Sequence, residues 1–126
     1  MRYTIEDIPV EMVAGDIRTR GVECGDLYIR HIDLPAGVDF TPLFVGLPQD
    51  LCQCPHWGQV LRGAITVRYA DGREETSRAG EVYHWPAGHT GWTTEGVTFL
   101  ELSPTADILP VLDHLGRQLA AGPASG

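Results

Sequence analysis

The chain has 126 residues, 43% of them hydrophobic and 21% charged, with a formal net charge of −8 at pH 7. That length gives one domain with one real core, and the acidic balance excludes a nucleic-acid or anionic-membrane surface, since both reward clustered positive charge. All nine basic residues are Arg, so no lysine serves as Schiff-base nucleophile or general base.

No apolar run approaches the roughly 20 residues of a membrane span. The start, Met1-Arg2-Tyr3-Thr4-Ile5-Glu6-Asp7, carries no apolar signal core, so a cytoplasmic protein is the expectation. In a reducing compartment the three cysteines are thiols, each a metal ligand or a small buried residue before it is a disulfide partner.

Residues 1–20 read as an irregular lead-in or an edge strand. Val22 to Leu34 reads as a strand or bent strand pair, with Leu27, Ile29 and His31 on one face and Tyr28, Arg30 and Ile32 on the other. Pro35-Ala36-Gly37 is a turn, and Asp39 to Val45 is a strand candidate interrupted by Pro42. Cys52-Gln53-Cys54-Pro55-His56 then sets three potential metal ligands at alternate positions just ahead of a strand, so that all three can face one interior. That strand runs from Gln59 to Tyr69, and Gly63 within it marks a bulge or a close backbone approach.

Ala70-Asp71-Gly72-Arg73 is a hairpin turn, because Asp-Gly readily supplies positive φ angles. Glu74 to Arg78 is the return strand, and Glu81 to Trp85 follows it, ending at Pro86-Ala87-Gly88. Gly91 to Thr94 and Val97 to Leu102 complete a series of short strands that indicates an all-β barrel or sandwich. The final segment changes period. Ile108, Leu109, Leu112, Leu115 and Leu119 share one helical face over about 106–120, Thr105 or Asp107 caps its start, and Gly122-Pro123 ends it before a frayed tail.

In Gly63 and in Gly80-x5-Pro86-x-Gly88, with a short hairpin between them, the chain resembles the cupin superfamily. The two motifs of that family are Gly-x5-His-x-His-x3-4-Glu-x6-Gly and Gly-x5-Pro-x-Gly-x2-His-x3-Asn. The resemblance runs from about Cys52 to Ser103 and implies a single cupin-type β-barrel (jelly roll), core about 22–103, with one C-terminal helix. It also implies a homodimer and small-molecule chemistry in the barrel. Its ligand positions are rewritten here: His56 stands where the family has glutamate, Asp50 and Cys52 stand for the paired histidines, and Gly91 replaces the histidine of the second motif, with His89 two positions earlier.

One reading is therefore a rearranged site for one divalent transition metal, zinc or iron, held by Cys52, Cys54, His56 and His89. The plainer reading makes Cys52 and Cys54 small buried residues and His56 a hydrogen-bonded structural one. His84 is a candidate proton carrier with Tyr83 beside it. Trp57, Gln59, Trp85 and Trp92 are candidate substrate contacts, although a small barrel needs aromatic residues for its core as well. His31 and His114 read as surface or helix-face residues. The functional expectation is a metal-dependent enzyme of cyclase, isomerase or oxygenase type. The alternatives are a metal-free binding or sensing module, and thiol chemistry at the cysteines.

Overall fold

Alternation of side chains across a pleated backbone organises this chain. A computed structural model describes residues 1–121. Its strands are β1 (Val10–Ala14), β2 (Ile17–Cys24), β3 (Leu27–Leu34), β4 (His56–Tyr69), β5 (Glu74–Arg78), β6 (Val82–Trp85), β7 (His89–Trp92) and β8 (Val97–Pro104), followed by helix α1 (Thr105–Ala120). They are joined in the order β1-β2-β3-β8-β4-β5, with β6 and β7 also paired to β4.

The 14-residue β4 belongs to two layers. Its first half pairs with β8 and β6, placing Trp57 opposite Leu102 and His56 opposite Trp85. Its second half pairs with β5 and β7, placing Thr66 opposite Thr76 and Tyr69 opposite His89. One strand shared by both layers folds them over a common interior. The change of layer falls at a bulge between Val60 and Arg62. Gly63, at φ +74°, follows it, and a Cβ there would run into the Gly96 carbonyl. Gly58 is required for a similar reason, because Leu100 O and the Tyr83 hydroxyl occupy the space of its absent side chain.

The interior holds two apolar groups. Ile32, Val60, Val67, Trp85 and Phe99 fill the barrel, and α1 closes one end of it by packing Ile108, Val111 and Leu115 against Phe44, Cys52 and Cys54. Ile108 is 1% exposed, a burial that contributes about 1.5–3 kcal/mol.

The structure departs from expectation in several places. Residues 1–20 contain all of β1 and the start of β2, so the sheet begins well before position 22. Of the two readings of Val22–Leu34, the structure takes the strand pair, with a turn at Gly25-Asp26 between β2 and β3. Asp39–Val45 is no strand: Pro42 cannot donate to a ladder, and Thr41–Phe44 forms a 3-10 turn. The buried face of α1 is Ile108, Val111, His114 and Leu115, whereas Leu109 is 45% exposed. Neither Thr105 nor Asp107 caps the helix, which starts directly after Pro104, and Thr105 Oγ1 instead donates to Gly25 O.

His31 is buried rather than on the surface, and His114 lies on the helix face but buried, its Nε2–H donating to Val45 O. The expected helix stop at Gly122-Pro123 and the tail beyond it lie outside the described residues. No described helix is long and apolar enough to cross a membrane.

Candidate metal centre

Pro55 separates the Cys-x-Cys pair from β4, and the backbone positions Cys52 by a different route. Cys52 N–H donates to His89 O at 2.8 Å, while Gly88 and His89 N–H donate to Cys52 O at 2.7 and 3.2 Å. This isolated bridge sets Cys52 beside His89 at the start of β7. His56 opens β4 on the inward face and brings its Nε2 to 3.6 Å from Cys52 Sγ. One ligand atom from each of Cys52, His56 and His89 lies within 4.8 Å of the others, and all three residues are buried.

Both imidazoles are oriented by their far nitrogens. His89 Nδ1 lies 2.8 Å from Pro86 O, which can only accept, so Nδ1 carries the proton and Nε2 presents a lone pair. His56 Nδ1 lies 2.7 Å from Ser103 Oγ and 3.5 Å from Glu101 Oε1. Ser103 Oγ is in turn 3.4 Å from Glu101 Oε2 and donates to it, which leaves Ser103 Oγ to accept from His56 Nδ1–H. His56 Nε2 is thereby free on the side of Cys52. Such outer contacts fix tautomer and ring orientation at metal sites.

Burial pushes the His56 pKa down to about 4, against the pull of Glu101, and also lowers that of His89, so both rings are neutral at pH 7. Burial pushes the Cys52 thiol up to about 12. A coordinated cation reverses that preference and deprotonates the thiol.

Behind the cluster lies a buried ionic chain. Arg30 Nε donates to Glu11 Oε1 at 2.6 Å, and Arg30 Nη1 donates to Glu101 Oε2 at 3.0 Å. Burial works to raise the Glu101 carboxyl, but the facing His56 and Arg30 outweigh it and hold Glu101 below its ordinary range. The cluster opens on a cavity of about 60 Å³, whose walls include Ile65, Trp85 and Phe99 from the barrel and Phe44, Ile108 and Val111 from the closing end.

No protein-family model and no curated protein matches the chain. Solved structures do. A Neisseria meningitidis protein, NMB1881, superposes with a TM-score of 0.54 at 15% identity over 69% of this chain and 82% of its own. Lactobacillus farciminis oxalate decarboxylase, in a formate complex, gives a TM-score of 0.57 at 19% identity, covering 81% of this chain. Bacillus subtilis oxalate decarboxylase, a protein with Mn(II) centres, gives 0.58 at 17% identity over the same share. The fold is a cupin barrel. The chain spans 32% and 28% of the two decarboxylase chains.

Within this cupin barrel, Cys52, His56 and His89 form a group able to hold a divalent metal. Cys54 is fully buried but stands outside that group, its Sγ donating to Pro55 O at 3.3 Å, because the proline breaks the alternation that would have aimed it inward. Of the four proposed substrate contacts, Trp85 alone lines the cavity. Trp57 and Gln59 have the opposite parity to His56 on β4 and face outward. Trp92 lies under Arg68, whose guanidinium is 5.4 Å from its ring centroid. His84 also points outward, stacked on Trp57 with ring centroids 4.9 Å apart. Tyr83 is inside, but its hydroxyl donates to Leu100 O at 2.8 Å, and burial raises its pKa further.

Glu101 and Arg30, both lining the cavity, are the residues that sequence reasoning passed over. The available signal was parity. Val97, Phe99, Glu101 and Ser103 share the buried face of β8, so the carboxylate falls in an apolar register.

Proposed function

We propose that this cupin barrel is a zinc-dependent protein acting on a small molecule in its interior cavity, with Cys52, His56 and His89 as ligands. The observation that carries the reading is the convergence of three ligand atoms within 4.8 Å, with the far nitrogen of each imidazole tied by hydrogen bonds. One thiolate and two neutral imidazoles suit zinc, and iron less well, whereas manganese and magnesium prefer oxygen donors. Three protein ligands leave a fourth position open to the cavity, the pattern of reactive rather than structural zinc sites.

When bound, zinc supplies Lewis-acid polarisation of a carbonyl or hydroxyl oxygen, which favours isomerase or cyclase chemistry. The chain's own residues do the rest. Trp85 and the α1 residues Ile108, Val111 and Leu115 give the cavity apolar walls, and Glu101 and Ser103 hold the proton on His56 Nδ1 so that Nε2 stays available.

A second reading, a zinc-containing binding or sensing module without turnover, draws on the placement of His84 and Tyr83. With His84 outside and the Tyr83 hydroxyl committed to backbone, neither offers the cavity a free proton carrier. Zinc titration of the chelator-treated protein tests the shared premise. One tightly bound equivalent, lost in Cys52→Ala, is expected, and failure to bind stoichiometric zinc removes both readings. Zinc-dependent turnover of carbonyl compounds then separates the enzyme from the binding module.

A further inference from the structure

We infer that the cavity selects a small neutral molecule, an apolar body carrying one carbonyl or similar polar group, and turns carboxylates away. The inference rests on the proposed metal centre and follows from charge, size and one unpartnered hydroxyl.

The charges facing the cavity balance without a ligand. Of the described residues that line the cavity, Arg30 and Glu101 carry charge, and they pair with each other at 3.0 Å, with Glu11 behind as a second partner of Arg30. Arg30 is the one cation among the described residues that line the cavity, and it stands between two carboxylates. It therefore has no surplus charge for an incoming anion. Arg30, Glu101 and Glu11 together leave one net negative charge, so an incoming anion is disfavoured. A buried charge that lacks compensation is costly.

Size narrows the class. A dry cavity of about 150 Å³ admits benzene, and this one is about 60 Å³. It takes a handful of atoms unless α1 moves. Polarity completes it. Thr19 Oγ1, on a residue 3% exposed and lining the cavity, has no hydrogen-bond partner. Unmet buried hydroxyls are uncommon, and this one is placed to meet the polar atom of a neutral ligand.

The test uses acetamide and acetate, a nearly isosteric pair that differs in charge, titrated into the full chain with and without zinc. Binding is read by NMR at the Trp85 indole and the His89 ring. Acetamide should perturb both signals, and acetate should bind at least roughly tenfold more weakly in each state. Glu11→Gln removes one carboxylate from Arg30 and should strengthen acetate binding by about tenfold while leaving acetamide unchanged. Thr19→Val should weaken acetamide severalfold and leave acetate as it was. Acetate binding as tightly as acetamide, or no binding of either probe, overturns the inference. A chain that takes no zinc yet still prefers acetamide breaks the metal reading alone, and a zinc-loaded chain that prefers acetate breaks this inference alone.

Discussion

Across the β4–β6 ladder the same two residue types meet twice, once on each face. His56 lies opposite Trp85 on the inside, and Trp57 lies opposite His84 on the outside. The inner pair packs ring edge to face and is 5% and 3% exposed, whereas the outer pair stacks within 3° of parallel with Trp57 41% exposed. Composition and position near the motif are equal for the two pairs. Parity on the strand alone decides which histidine has its pKa pushed down to about 4 and which one lies on the surface.

The sharpest way to break that comparison is to remove each histidine in turn. His56→Ala should abolish stoichiometric zinc binding by titration, and His84→Ala should leave both stoichiometry and affinity as they are. Equal losses would mean that the two faces are not functionally distinct.

Glu101→Gln probes the inner face one layer back. It strips Arg30 of a buried partner, a change that costs about 3–5 kcal/mol in chemical denaturation. It should also weaken zinc by roughly 10–100-fold through the loss of His56 orientation. Glutamine keeps the shape, so a merely structural role would lower stability and leave zinc affinity alone. Nitrogen NMR of the His56 ring reports the tautomer directly.

Proton release sharpens the account of charge. The Cys52 thiol, pushed up to about 12, is protonated at neutral pH, while His56, pushed down to about 4, is not. Zinc binding therefore displaces a proton from Cys52 and none from His56. The apparent affinity should climb by about tenfold per pH unit through the neutral range. Calorimetry in buffers of different ionisation heat measures the proton count, and a count near zero contradicts the thiolate ligand.

The smallest effect is expected outside. Trp57→Ala removes a stack on a half-exposed surface and should cost about 1 kcal/mol or less, with zinc affinity unchanged.

The fold was legible because its punctuation is local. Asp71-Gly72 turns one hairpin, Gly63 marks the bulge between layers, and the change from period 2 to period 3.6 near Thr105 separates strand from helix. The site was legible only in part, because ligation depends on which residues meet across the barrel. His89 is brought to Cys52 by a backbone bridge spanning 37 positions, and Arg30 reaches Glu101 across 71. The two-motif resemblance pointed to His89, but no motif or spacing reports the Arg30–Glu101 pair. Cys54, Trp57 and Gln59 mislead for a smaller reason. Pro55 resets the alternation just before β4, and the inward register is countable only from His56 onward.

Anomalous diffraction at the zinc edge, on crystals of the zinc-loaded protein, tests the central claim most directly. The account predicts one peak inside the barrel, about 2.3 Å from Cys52 Sγ and about 2.0–2.1 Å from the Nε2 atoms of His56 and His89. A peak bound elsewhere, or an interior without one at full zinc loading, would contradict it.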